Sequence, residues 1–164
     1  MNLYFTRLKI IQAFGFLLIP LVLIIVNGEV LGSISAYANH TPMTFAMLLT
    51  LSGALFFYDG FVERKRWYNL YVGFSLLGIV LFIHTEFPLI HYFFAGVFFL
   101  GSLFNMVYFS SNKQRFFKSL TALFVILGMS GHFIFEFYSL FWAEWIGMFP
   151  ISIHYILELT GKID

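Results

Sequence analysis

The sequence predicts an all-α membrane protein, a compact bundle of six transmembrane helices that forms a single domain over residues 1–164. Hydrophobic residues fill 60% of the positions and charged residues only 10%, which leaves too few polar side chains to cover a water-exposed surface. Apolar runs recur along the chain, each near the ~17–25 residues with which a helix crosses hydrocarbon. These runs cover residues 10–26, 43–58, 68–83, 89–108, 120–135 and 140–157.

The basic residues give an independent prediction of orientation. Six crossings place all nine Lys and Arg residues on one side of the membrane, and the opposite connections, at 27–42, 84–88 and 136–139, contain none. Because basic loops stay in the cytoplasm, we expect both termini to be cytoplasmic. For the same reason we expect the basic loop at 64–66 to fix the orientation of the protein.

The boundary between the last two crossings is the least marked in the sequence. Residues 135–145 are rich in aromatic side chains and carry little turn chemistry. One long bent helix over 120–157 therefore competes with two separate helices. Only two helices keep all the basic residues on one side of the membrane.

Composition excludes several classes of function. Nine basic and eight acidic residues give a formal net charge of +1, so no basic surface is available to bind nucleic acid and we expect no such partner. The chain has no cysteine, which excludes disulfides, thiolate metal ligands and a cysteine nucleophile. Any bound metal would need ligands from His, Asp or Glu.

Histidines and glutamates collect on the outer side of the predicted bundle. His40, His84, His91 and His132 all map to that side or to the helix ends beside it. Short connections make consecutive helices antiparallel neighbours, so the bundle can gather these groups in one outward-facing polar pocket. The candidate catalytic residues of this pocket are Ser35, His91, His132 and Glu144.

A metal site is one chemistry that this pocket allows. His132 and Glu136 are four residues apart and are predicted to share a helix face, where a carboxylate can orient an imidazole or bind the same metal. The candidate ligands are His91, His132, Glu136 and Glu144, and zinc is the candidate cofactor. The alternative is that these residues gather at a membrane interface because water is present there, and form no site.

Four segments resemble a group of uncharacterised bacterial six-span membrane proteins. They are SISAY at 33–37, TPM at 41–43, IHYFFAGVFF at 90–99 and FWAEW at 141–145. More distantly, an outer serine-containing loop, a histidine that opens the fourth crossing and a Glu-Trp pair that opens the sixth are similar to the DRAM and Frag-type family of six-span proteins linked to lipid handling. These resemblances imply a multi-pass protein of the bacterial inner membrane with a connection to lipids.

Two functional hypotheses fit these observations. The first is a lipid- or partner-binding helical bundle, whose partners are membrane lipids or the other membrane subunits of a larger complex. The second is a metal-dependent lipid hydrolase or transferase that acts at the outer leaflet, with a metal-bound water as nucleophile. Alkaline ceramidases build a related zinc site from Ser, Asp and His residues. This chain has Ser35, Asp59, His91 and His132 but lacks the His-x-x-x-His motif of that superfamily.

Overall fold

The computed structural model describes residues 3–62, 66–109 and 111–163, and these residues form seven helices. The helices are α1 (Leu3–Asn27), α2 (Tyr37–His40), α3 (Pro42–Val62), α4 (Asn69–Leu81), α5 (Pro88–Tyr108), α6 (Arg115–Phe133) and α7 (Leu140–Leu159). The all-α prediction is confirmed, and each of the six predicted apolar runs coincides with one helix. The additional helix, α2, is a single turn within the first connection.

Four of the described helices are long and apolar enough to cross a membrane. They cover Pro42–Val62, Pro88–Tyr108, Arg115–Phe133 and Leu140–Glu158. Two other apolar helical stretches, in α1 and α4, are shorter. At a rise of 1.5 Å per residue, the 13 residues of α4 reach about 20 Å, which is less than the ~30 Å thickness of a hydrocarbon core.

The last two apolar runs are separate helices, so the single bent helix over 120–157 is wrong. Helix α6 ends at Phe133, and the chain turns through Glu136, whose φ of 54° places it in the left-handed region. Ser139 is extended and precedes the first residue of α7. The predicted helix face shared by His132 and Glu136 is also wrong, because Glu136 lies beyond the helix end with an exposed side chain.

Helices α3 and α4 pack closely because glycines face each other between them. A Cβ atom added to Gly73 would lie 2.5 Å from the carbonyl oxygen of Gly53 and 2.8 Å from the backbone nitrogen of Phe57. Real Cβ atoms do not approach backbone atoms this closely. Small residues at such positions let two backbones approach, which strengthens van der Waals packing between helices.

Buried aromatic side chains join α1, α3 and α5 in the main core. The ring of Phe16 packs edge-to-face against Phe56 and Phe98, with centroid distances of 5.8 and 5.7 Å. A smaller buried cluster joins α5 to α6. Its members are Leu103, Met106, Ala122 and Val125.

The antiparallel succession of helices gives the bundle two ends. The Glu144 end holds the connections at 28–41, 82–87 and 134–139, and α7 begins there. The Arg66 end holds the described residues 66–68 and 111–114, together with the end of α7. The two candidate sites described below lie at these opposite ends.

Candidate functional site

The first connection forms an ordered cap over the Glu144 end. The hydroxyl of Tyr37 donates a hydrogen bond to the carbonyl of Glu29 at 2.8 Å and accepts one from the backbone N–H of Leu31 at 3.2 Å. Tyr37 itself is fully buried and packs against the ring of Phe141 in α7. A buried tyrosine hydroxyl needs such partners, and here they fold the loop back onto the bundle.

Helix α7 is tied to this cap by two hydrogen bonds. The backbone N–H of Phe141 donates to the carbonyl of Gly32 at 2.8 Å. One turn further along, the Glu144 carboxylate accepts the backbone N–H of Ile34 at 2.5 Å. Because this bond joins α7 to the residue before Ser35, Glu144 fixes the position of the loop that carries Ser35.

A cavity of about 40 Å³ lies beneath the cap and is lined by Ser35, His91 and Glu144. Apolar side chains, among them Phe98 and Met148, form the remainder of its wall. The volume is sufficient for a small number of water molecules. The structure therefore brings three of the four predicted catalytic candidates to one cavity.

His91 caps the end of the short helix α4. Its Nδ1 lies 2.8 Å from the carbonyl oxygen of Phe82, which follows the last residue of α4. A carbonyl only accepts, so Nδ1 carries the proton and, in the neutral ring, Nε2 keeps its lone pair. The ring of His84 lies 5.7 Å from that of His91.

His132 is held in the same way at the end of α6. Its Nδ1 lies 2.7 Å from the carbonyl oxygen of Tyr138, so this ring too carries its proton on Nδ1 when it is neutral. The hydroxyl of Tyr138 in turn donates to the carbonyl of Gly128 in α6. The two hydrogen bonds close the turn between α6 and α7 and fix the orientation of the imidazole.

A groove of about 670 Å³ runs between α5, α6 and α7, and we call it the Glu144 groove. His91, His132, Glu144 and Ser130 supply most of its polar lining. The remaining lining is predominantly apolar and reaches down to the small buried cluster between α5 and α6. Its apolar lining includes Phe99, Leu100, Leu103, Val125, Ile126 and Met129.

The groove is open at the surface of the bundle. Tyr92 of α5 and Phe133 and Ile134 at the end of α6 line it and are exposed. Because α6 packs against α7 and less extensively against α5, the space between α5 and α6 is left unfilled. A molecule can therefore enter from the side of the bundle.

The predicted metal ligands are only partly brought together. His91, His132 and Glu144 line the groove, whereas Glu136 does not contribute to its lining. Among the residues that the structure describes, no group of three His, Asp or Glu side chains is arranged to hold a metal ion. We therefore assign no ligand set for zinc.

The Arg66 end holds a second polar cluster that the sequence analysis did not predict as a site. The guanidinium of Arg66 lies 3.1 Å from Glu158 and 3.6 Å from Asp59, which is fully buried. Asn69 donates to Asp59 at 2.9 Å, and the Tyr68 hydroxyl donates to Glu158 at 2.9 Å. We call these five residues the Arg66 cluster.

Arg66 and Tyr68, the two members of this cluster that precede α4, both stay protonated. Burial lowers the pKa of the Arg66 guanidinium, but the Glu158 and Asp59 carboxylates outweigh that effect and raise the pKa overall. Burial and the Glu158 carboxylate both raise the pKa of the Tyr68 hydroxyl above its ordinary value. Tyr68 therefore acts as a hydrogen-bond donor to Glu158 over the whole physiological range.

A cavity of about 30 Å³ adjoins the Arg66 cluster and is lined by Ser102, Asn105 and Tyr155. Within the described part of the chain, Ser102 Oγ, Asn105 Nδ2 and the Tyr155 hydroxyl are buried without a hydrogen-bond partner. The space is large enough for a water molecule, which can satisfy such groups. Periodicity does not show which polar residues of an apolar helix face inward, so the sequence does not predict this cluster.

The chain belongs to a family of unknown function, DUF7103, whose model matches residues 18–159. That range includes Ser35, His91, His132 and Glu144, and also all five residues of the Arg66 cluster. No curated protein and no solved structure matches the chain. The similarity to the DRAM and Frag-type family stays a prediction.

Proposed function

We propose that this protein is a six-span protein of the cell membrane that binds one lipid or lipid-like amphiphile in the Glu144 groove. The observation that carries the proposal is the groove itself, about 670 Å³ of mostly apolar space with polar side chains gathered at one end. Sites for small ligands have volumes of ~300–1,000 Å³, mostly apolar walls and a few convergent polar groups. The groove has all three properties.

The depth of the lining residues fits an amphiphile with its head near the membrane surface. His91 lies in the first turn of α5, Glu144 in the second turn of α7 and His132 in the last turn of α6. Leu103 and Val125 line the groove roughly two to three turns further from those helix ends. A polar head beside the histidines and Glu144 would leave a hydrocarbon chain beside Leu103 and Val125. The chain would then run parallel to the lipids of one leaflet.

The charge distribution supports six crossings with both termini in the cytoplasm. The basic side chains that the structure describes all lie at the Arg66 end, and the connections of the Glu144 end contain acidic residues and no Lys or Arg. These basic side chains are Arg7, Arg66, Lys113, Arg115, Lys118 and Lys162. The positive-inside rule then places the Glu144 end outside the cytoplasm. In this orientation the groove opens to the outer leaflet.

Lipid that remains bound through purification tests the proposal. The protein is extracted in mild detergent and its mass is measured by native mass spectrometry, and we expect one bound lipid per chain. A Cβ atom added to Gly96 meets no atom within 4 Å, and Gly96 lines the groove, so Gly96→Trp can fill the space without a clash with the backbone. Met129→Trp fills it from the opposite wall.

The matched control is Gly15→Trp in α1, where an added Cβ atom also meets no atom within 4 Å. We expect the control to keep its bound lipid and both groove variants to lose it. Equal lipid occupancy in the wild type, the control and both groove variants would contradict the proposal. So would a wild-type protein that carries no lipid from any membrane preparation.

A further inference from the structure

Three polar side chains of the Glu144 groove donate their hydrogen bonds to backbone carbonyls of the protein itself. The Ser130 hydroxyl donates to the carbonyl of Ile126 at 2.8 Å. The Nδ1–H groups of His91 and His132 are donated to the carbonyls of Phe82 and Tyr138. What these three side chains can still offer a ligand is lone pairs: the serine oxygen and, in the neutral rings, the two Nε2 atoms.

The fourth polar group, the Glu144 carboxylate, is an acceptor as well. It accepts a hydrogen bond from the backbone N–H of Ile34. No Lys or Arg occurs at residues 10–63, 67–112 or 119–161, so the helices around the groove contain no cation to pair with it at this end. Burial without a cationic partner favours the protonated, neutral form of this carboxyl group, whereas a bound cation favours the ionised form, so binding of a cation and ionisation of Glu144 are coupled.

The surroundings of the groove favour a cation for the same reason. The connections of the Glu144 end carry Glu29, Glu86 and Glu136, all with exposed side chains. These charges make the potential at this end of the bundle more negative, which disfavours phosphate or carboxylate groups there. Tyr92 at the rim, whose ring lies 5.9 Å from that of His91, is exposed and supplies one neutral donor, which does not balance these charges.

We propose that the Glu144 groove selects amphiphiles whose head is an ammonium group. This inference rests on the proposed lipid-binding function and names the chemical class of its ligand. An ammonium head supplies three N–H donors and a positive charge to a site that presents acceptors from Ser130, His91, His132 and Glu144. A phosphate or carboxylate head would place its oxygens against these acceptors, and an alcohol would supply one donor without a charge.

A series of amphiphiles with one chain length tests this selectivity. Hexadecylamine, hexadecanol and hexadecyl phosphate are titrated into the purified full-length protein in detergent, and bound ligand is measured by native mass spectrometry. We expect the amine to bind about tenfold or more tightly than either of the others, the ratio that corresponds to ~1.4 kcal/mol for a charged hydrogen bond. Phosphatidylethanolamine and phosphatidylglycerol are titrated as a second pair. This pair tests whether the ligand is a two-chain membrane lipid or a single-chain amine.

The variant Glu144→Gln tests the source of the preference. Its amide oxygen can still accept the Ile34 N–H, so the cap keeps its tie while the charge is removed. We expect this variant to lose the preference for the amine and to bind hexadecanol as the wild type does. The matched control, Glu86→Gln, removes an exposed charge at the same end and should keep the preference.

The possible results separate this inference from the proposed function. Binding of all three amphiphiles with one affinity, or preference for the phosphate, would overturn the ammonium selectivity and leave lipid binding in place. A preference for the amine that survives in Glu144→Gln would also overturn it. If none of the amphiphiles binds the wild type, both the inference and the proposed function fail.

Discussion

The Glu144 carboxylate accepts the backbone N–H of Ile34 across 110 residues of sequence, at a distance of 2.5 Å. This bond joins the second turn of α7 to the loop that caps the bundle, next to Ser35 in the wall of the cavity. The neighbouring bond from Phe141 N–H to the Gly32 carbonyl holds the same two segments together. The polar end of the groove is thus built by a contact between distant parts of the chain.

We expect Glu144→Leu to destabilise the protein by about 1–3 kcal/mol, because the Ile34 N–H loses its acceptor in a partly buried position. Glu144→Gln should cost less, since its amide oxygen replaces the carboxylate as acceptor. The free energy of unfolding is measured by titration of mixed micelles with denaturing detergent. Equal losses in the two variants would show that the charge of Glu144, and not the hydrogen bond, stabilises the cap.

Replacement of Arg66 should destabilise the opposite end. Arg66→Met removes a cation from beside the carboxylates of Asp59 and Glu158, and we expect a loss of roughly 3 kcal/mol, the lower end for a buried ion pair. The lower end applies because the Arg66 side chain is 21% exposed. The same unfolding titration measures the loss, and Lys113→Gln, an exposed cation of the same end, is the control.

A triple variant distinguishes lost charge compensation from lost packing. Arg66→Met combined with Asp59→Asn and Glu158→Gln also removes the two negative charges that Arg66 faces, so most of the stability should return. If the triple variant is as unstable as Arg66→Met, the ion pairs do not account for the effect of the single replacement.

Gly73→Ala should weaken the contact between α3 and α4. The added methyl group would lie 2.5 Å from the Gly53 carbonyl oxygen, so the helices must separate, at an expected cost of roughly 1–3 kcal/mol. Gly15→Ala is the matched control, because an added Cβ atom there meets no atom within 4 Å. Alanine has the higher helix propensity, so the control should be neutral or more stable by up to ~1 kcal/mol. Equal melting temperatures for the two variants would show that the α3–α4 contact adapts freely.

The orientation of the protein can be tested with single cysteines because the chain contains none. We expect Glu29→Cys, in the first connection of the Glu144 end, to react with a membrane-impermeant maleimide on intact cells. Lys113→Cys, in the basic connection before α6, should react only after the cells are permeabilised. Labelling of Lys113→Cys on intact cells would reject the six-crossing orientation.

Most of the secondary structure was predictable from the sequence for a physical reason. Helices that lie in lipid must be apolar over their whole length, so the six runs mark α1, α3, α4, α5, α6 and α7 without any information about packing. The end of α6 was not predictable in this way. Phe133 to Phe137 continue the aromatic pattern, and only the reversal of the chain at Glu136 shows where the helix ends.

The candidate site was predictable in its residue types and only in part in its arrangement. Hydropathy and the positions of the basic residues predict that Ser35, His91, His132 and Glu144 lie in a connection or near helix ends on one side of the bundle. Packing between the helices, which the sequence does not show, gathers these four around one cavity and one groove and leaves Glu136 outside both. It also decided that Asp59, Arg66 and Glu158 meet in a buried cluster. Hydropathy reports how deep a residue lies along the membrane normal. Which residues face each other depends instead on how each helix is rotated about its axis. That rotation is set by packing against the neighbouring helices.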